Sequence, residues 1–251
     1  MSLIVCLRGN DGMVLASDSR GTFGDPRGVT AQNDNQKKVY PLSKYVGCAV
    51  AGSGEIGARL MDELIETIRQ KNVEGTNNVI GVARELVKRR YDEWFAKFNI
   101  QPIAGAQQPV RPDLVLLLGG YDYEEQVSGK QRIPITRKQR IYQMMAPFDF
   151  APMLHDYGFA LNGVAQYALY LLNRLYVPDS PIARLLPLAA YVITETASQD
   201  GKVGGPVQIT TVKPAVGCME LSASDVDNVL AENRTRSEAL RESFFGAKPA
   251  Q

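Results

Sequence analysis

Histidine is almost missing from this chain of 251 residues, which contains only His155. Cysteine is also scarce, because Cys6, Cys48 and Cys218 are odd in number and far apart, each within an apolar run. We expect buried, reduced thiols and neither a structural metal site nor another cofactor. A serine hydrolase with a histidine base would have to use His155, which lies in the turn-like segment MLHDYG. Hydrolytic chemistry in this protein therefore needs a different base.

The chain also lacks a large net charge and a long apolar run. Its 28 basic and 27 acidic residues give a formal net charge of +1, so we expect no general attraction to nucleic acid or to an anionic membrane. No stretch reaches the roughly 18 apolar residues that a membrane helix needs. The start, MSLIVCLRGND, lacks the features of a secretion signal. These absences predict a cytoplasmic protein.

The order of the predicted elements favours an α+β fold. LIVCLRG and MVLASDS flank Asn10-Asp11-Gly12, a typical hairpin turn, and KKVYPL and YVGCAVAG form the next strand pair. Two helices, a strand pair, two helices, another strand pair and a helix from about Ser224 follow. Such blocks predict two stacked sheets covered by helices on both outer faces. We expect one domain over residues 1–245 and a loose tail over 246–251.

Three segments are expected to interrupt this pattern. The stretch GTFGDPRG near the start is rich in turn residues and predicts a loop. The Lys- and Arg-rich stretch that includes Lys130 and Arg137 predicts a solvated loop between two strands. Pro187 lies inside a predicted helix, which it is expected to kink or interrupt.

The segment GSGEIG, from Gly52 to Gly57, matches the pattern G-x-G-x-x-G between a predicted strand and a predicted helix. In this context the pattern is typical of a nucleotide-binding turn. A dinucleotide site also needs a parallel strand after the helix, whereas a second helix follows here. Two other interpretations remain, a tight turn and a turn whose backbone N–H stabilises an oxyanion.

Several blocks in order resemble the proteasome subunit family, especially its bacterial proteasome-type peptidases. LIVCLRGNDGMVLASDSRGT is similar to the opening hairpin of the family, which ends in an Asp-Ser-Arg motif. QKKVYPL and VGCAVAGSGE resemble its lysine strand and the strand that follows. DLVLLLGGYD is similar to its central strand, and SQDGKVGGPVQI to a late turn and strand. The blocks cover roughly residues 2–215.

This resemblance implies a four-layer αββα sandwich of the N-terminal nucleophile hydrolase type, which assembles into rings. It also implies hydrolysis of peptide bonds by the first residue of the mature chain. By the register of the motifs, the implied catalytic residues are Ser2, Asp18, Lys38, Gly52 and Asp200. Val50 and Gly54 are the implied substrate-binding residues. The implied partners are a peptide or unfolded protein, copies of the same chain in a ring or helical assembly, and an unidentified unfoldase.

The chemistry of the implied residues is coherent without histidine. A serine hydroxyl needs an adjacent base, and an α-amino group on Ser2, with an unperturbed pKa of about 7.7–8.0, can take that role near neutral pH. Lys38 would lower the pKa of the amine and of the hydroxyl, and Asp18 would hold Lys38. The N–H of Gly52 would stabilise the oxyanion.

The sequence departs from the active members of the family at three positions. Serine replaces the usual threonine nucleophile, and Asn162 and Val203 occupy positions where two serines often lie near the amine. Removal of Met1 is needed to expose Ser2. A catalytically silent ring subunit therefore remains an alternative to the peptidase, and a nucleotide-binding protein that uses residues 52–57 is a third.

Overall fold

The computed structural model describes residues 2–25, 28–96, 111–128 and 131–246. The predicted tail lies outside these residues, apart from Gly246. The elements in chain order are β1 (Leu3–Arg8), β2 (Met13–Ser17), β3 (Gly21–Asp25), β4 (Gly28–Asn33), β5 (Val39–Ser43), β6 (Val46–Gly52), α1 (Gly54–Lys71), α2 (Thr76–Trp94), β7 (Leu114–Ser128), β8 (Gln131–Met145), β9 (Met153–Leu154), β10 (Phe159–Gly163), α3 (Ala165–Leu175), α4 (Ile182–Gln199), β11 (Gln208–Lys213), β12 (Gly217–Glu220) and α5 (Ala223–Phe245).

The strands form two five-stranded sheets and a separate hairpin. The first sheet has the order β10-β1-β2-β11-β12, the second has the order β5-β6-β7-β8-β9, and β3 pairs with β4. Within the described residues every strand pair is antiparallel. The predicted pairs β1–β2, β5–β6 and β11–β12 are confirmed. A mixed fold of helices and antiparallel sheets is therefore present.

The alternation of side chains along the central strands explains the packing. In β1, Leu3 and Val5 lie in an apolar cluster with residues of α3, α4 and α5, whereas Ile4 and Cys6 lie in a second cluster. That second cluster also contains residues of β5, β6, β7 and β8, so it joins the two sheets. A third cluster contains residues of α1, α2 and the second sheet. Because both faces of β1 and β2 are buried, nearly every side chain in these strands is apolar.

Two of the three segments expected to interrupt the pattern differ from their predictions, and Pro187 differs from one of its two predicted effects. The stretch GTFGDPRG contributes to the hairpin β3–β4, which contains an irregularity between Phe23 and Gly24. Most of the Lys- and Arg-rich stretch continues β8, while Lys130 lies outside the described residues. The density of charged residues suggested a loop, but antiparallel pairing with β7 continues through this stretch. Pro187 does not interrupt α4, and its carbonyl accepts a hydrogen bond from Asn233 Nδ2 at 2.8 Å.

None of the described helices is long and apolar enough to cross a membrane.

Candidate active site

Asp18 lies just beyond the end of β2 and is fully buried. Its Oδ1 accepts hydrogen bonds from the N–H of Leu3 at 2.9 Å and from Lys38 Nζ at 2.8 Å. Its Oδ2 accepts the N–H groups of Arg20 and Gly204, each at 3.1 Å. Three backbone donors and one cation therefore satisfy this carboxylate, which makes its burial tolerable.

Lys38 directly precedes β5 and its side chain is 3% exposed. Besides Asp18, its Nζ donates to the carbonyl of Arg20 at 2.6 Å. Burial lowers the pKa of Lys38, and the neighbouring Asp18 opposes part of that change. An ammonium group has three protons, and these two hydrogen bonds use two of them.

Ser2 is almost completely buried, at 6% exposure, immediately before β1. Its carbonyl accepts the N–H of Val164 at 2.9 Å, and the N–H of the next residue, Leu3, is bonded to Asp18. Ser2 and Lys38 line the same small pocket, whose volume is about 10 Å³. The other residues that line it are Gln36, Lys37, Tyr40, Val50, Ala51, Gly52, Gly54 and Ala58. Five of the predicted site residues thus share one cavity, with Asp18 bonded to Lys38 behind it.

The glycine-rich turn forms one wall of this pocket. Gly52 has a φ of +107°, and a Cβ there would overlap the backbone of Asp113. A Cβ on Gly54 would overlap the side chain of Gln36, and one on Gly57 would lie 2.9 Å from Val50 Cγ1. The glycines therefore have local conformational and packing roles. A dinucleotide site also requires a parallel strand after α1. In the part of the chain that the structure describes, α2 follows instead and β6 pairs antiparallel with both neighbours.

Asp200 is not among the residues that line this pocket. It follows α4, and its Oδ1 accepts the N–H of Lys202 at 2.9 Å. The loop that it begins reaches the site through Gly204, whose N–H donates to Asp18. Asn162 lies in β10 and donates to Met145 Sδ at 3.6 Å, whereas Val203 is fully buried in the apolar cluster with α4.

Sequence reasoning missed Gln36, which lies two residues before Lys38. The N–H of Gln36 donates to the carbonyl of Ser19 at 3.0 Å, which holds its backbone against the Asp-Ser-Arg motif. The side chain of Gln36 occupies the space beside Gly54. Gln36 and Lys38 line the same pocket, and the two-residue period of the strand predicted from KKVYPL, extended back to Gln36, indicates this placement from the sequence.

Asp34 was also missed. Its carboxylate accepts two hydrogen bonds from Arg20, from Nε at 2.7 Å and from Nη2 at 2.8 Å. Arg20 also donates to the carbonyl of Gly201 at 3.0 Å. The hydrogen bonds with Arg20 lower the pKa of Asp34. This bidentate pair connects the segment before Lys38 to the loop after α4.

The chain is similar to known proteins in sequence and in fold. The model of the proteasome subunit family matches residues 2–125. A proteasome subunit beta of Nanoarchaeum equitans (strain Kin4-M) is 23% identical over 216 residues, which cover 84% of this chain and 93% of that protein. A solved structure of a Gly-1 mutant of Anbu from Hyphomicrobium sp. strain MC1 has a TM-score of 0.66, with 16% identity and 100% coverage of both chains.

These findings confirm the similarity that the sequence blocks indicated. The chain shares the fold of the solved Anbu structure, and residues 2–125 are similar to the proteasome subunit family.

Proposed function

We propose that this protein is a proteasome-type peptidase whose nucleophile is Ser2, exposed by the removal of Met1. One observation carries the proposal. Ser2 and Lys38 line the same pocket, and Lys38 is held there by a buried carboxylate with three backbone donors. The proposal includes the finer description of the fold, a four-layer αββα sandwich in which the two joined sheets lie between α1–α2 and α3–α5.

The first step is attack by Ser2 Oγ on the carbonyl carbon of the scissile bond. The free α-amino group of Ser2 takes the hydroxyl proton as the new C–O bond forms, and it then protonates the leaving amine as the C–N bond breaks. Water hydrolyses the resulting ester with the same amine as base. The Lys38 cation lowers the pKa of the amine and stabilises the alkoxide that attacks.

Gly52 is proposed as the oxyanion donor. A negative charge develops on the carbonyl oxygen during attack, and one backbone N–H directed at it is worth about 3–4 kcal/mol in other hydrolases. Gly52 lines the pocket with Ser2, and its positive φ sets the direction of the turn. Asp200 is proposed to act from the loop that contacts Asp18, by stabilising the protonated amine.

The substrates are proposed to be peptides or unfolded proteins. Val50, which is 6% exposed, forms part of the pocket wall next to Gly54. An apolar wall favours an apolar side chain before the scissile bond over a charged one, because Val50 offers a charge no hydrogen-bond partner. The chain is proposed to act in the cytoplasm as a homo-oligomeric ring or helical assembly, with an unfoldase as a further partner.

A catalytically silent subunit of the same fold is the second candidate. The feature that favours it is Val203, which is fully buried among apolar side chains and has no polar group to orient an amine. In that case the Asp18–Lys38 pair would serve only to hold the strand ends together.

Met1 decides between the two candidates. An acylated Ser2 nitrogen is an amide, which has no useful basicity near neutral pH. Preparations that begin at Ser2 are therefore expected to cleave fluorogenic peptides, and preparations that retain Met1 are expected to be inactive. Intact-mass spectrometry paired with the assay tests this on each sample. Full activity in a sample that carries only intact Met1 would refute the mechanism.

A further inference from the structure

The backbone at Lys38 departs from the regular ladder between β5 and β6. The carbonyl of Lys38 accepts the N–H of Val50 at 2.8 Å. In a regular antiparallel pair of this kind, Lys38 would return its own N–H to Val50. It donates instead to Gln208 Oε1, at 2.9 Å. A side chain from the other sheet has therefore taken the place of a strand neighbour.

Gln208 makes three hydrogen bonds to this short segment. Its Oε1 accepts the N–H of Lys38 and also that of Val39, at 3.3 Å. Its Nε2 donates to the carbonyl of Gln36 at 2.7 Å. The amide thus satisfies two donors and an acceptor where the chain enters β5, which is the outermost strand of its sheet.

Gln208 is itself held beside the other half of the ion pair. In the first sheet it lies opposite Ser17, and Ser17 immediately precedes Asp18. One side chain therefore connects the backbone that carries Lys38 to the strand pair that ends at Asp18. Because the two charged residues come from different sheets, their separation depends on such a link.

We infer that Gln208 is a positioning residue that fixes Lys38 against Asp18 and Ser2. This inference rests on the proposed function for its catalytic consequence, but the link between the sheets does not depend on it. Gln208 touches neither the nucleophile nor the scissile bond in this mechanism, so it acts only through the placement of the lysine.

Gln208→Met is the informative variant, because it keeps the length of the side chain and removes all three hydrogen bonds. In protein that begins at Ser2, we expect kcat to fall by about tenfold to a hundredfold, the scale of a misplaced catalytic group, with KM nearly unchanged. The acid limb of the kcat/KM profile should move to higher pH, because an amine farther from a cation binds its proton more tightly. Gln208→Glu keeps the two acceptor bonds and should fall between wild type and Gln208→Met.

Thr210→Val is the matched control. Thr210 lies on the same strand two residues further on, is 1% exposed, and its buried hydroxyl has no hydrogen-bond partner within the described residues. This variant should keep the wild-type kcat and pH profile. A loss in Thr210→Val equal to that in Gln208→Met would overturn the inference, because any disturbance of β11 would then suffice.

Hydrogen–deuterium exchange supplies a readout that needs no turnover. The amides of Lys38 and Val39 should exchange faster in Gln208→Met than in wild type or Thr210→Val. Unchanged exchange, or a kcat and pH profile equal to those of an active wild type, would overturn the inference. If the wild type has no turnover while exchange rises as expected, the peptidase proposal has failed and the positioning role of Gln208 is supported.

Discussion

Asp18 and Asp122 are both buried carboxylates next to a cation, but their hydrogen-bond donors differ in kind. Asp18 receives three backbone N–H groups and the Lys38 ammonium. Asp122 accepts hydrogen bonds from two side chains, the hydroxyl of Thr76 and Arg140 Nε, the latter at 3.1 Å. Backbone donors are fixed by the course of the main chain, here β1 and two loops, whereas side-chain donors are fixed by their own packing.

The two sites also differ in what surrounds them. Lys38, the cation bonded to Asp18, lines a pocket together with Ser2. The hydroxyl at Asp122 belongs to the first residue of α2, and Asp122 itself lies in β7. The second carboxylate therefore anchors a helix start to a strand, and the first presents a buried cation to a cavity. A buried ion pair alone does not mark an active site, but one beside a nucleophile and a cavity is a better candidate.

The strongest test of this comparison removes the reactive groups. Ser2→Ala and Lys38→Ala should each reduce peptide turnover to the background, and the double variant should be no worse, because the two residues act as one unit. Asp18 keeps its three backbone donors in Lys38→Ala, so the fold should persist in circular dichroism. Clear activity in Ser2→Ala would show that another group is the nucleophile.

Exchanging each aspartate for asparagine separates the two roles. Asp18→Asn should lose most activity, because Lys38 then loses the main carboxylate that opposes the effect of burial, and its pKa should fall further. Asp122→Asn should keep kcat per folded molecule while lowering the free energy of unfolding by about 1–3 kcal/mol. Denaturant melts and active-site titration measure both quantities. Equal losses of kcat in the two variants would remove the distinction.

The sequence predicted the elements better than the contacts between them. The turn Asn10-Asp11-Gly12 and the spacing of apolar residues were sufficient to predict β1, β2 and most helices, because these signals are local. The family motifs predicted one site that contains Ser2, Lys38, Val50, Gly52 and Gly54. These five residues line one pocket in the structure. Asp200 was predicted as part of the same group and does not line that pocket.

Apart from Gln36, whose position a local period indicates, the residues that sequence reasoning missed make long-range contacts. Gln208 makes hydrogen bonds to residues about 170 positions earlier in the chain. No local pattern of apolar residues indicates which backbone groups a side-chain amide will bind. Arg20 was recognised as part of a motif, whereas its partner Asp34 lies beyond a hairpin that composition suggested was a loop. Partners that depend on how two sheets meet are not encoded in any short window.

The smallest expected effect concerns the pocket beside Asp18. Wild type should prefer Leu, Tyr or Phe before the scissile bond over Asp or Arg, because Val50 offers no partner for a charge. Gln36→Ala should then raise kcat/KM for Phe and Tyr relative to Leu by about threefold to tenfold, since it frees space beside Gly54. A peptide library measures both ratios.

Gln139→Ala is the matched control near Asp122, the second buried carboxylate. Gln139 donates to the Tyr121 hydroxyl at 2.9 Å, and its replacement should leave both ratios unchanged. A strict acidic or basic preference in wild type would show that Val50 does not define the pocket. An equal change in both glutamine variants would show that specificity is not local to the Asp18 end.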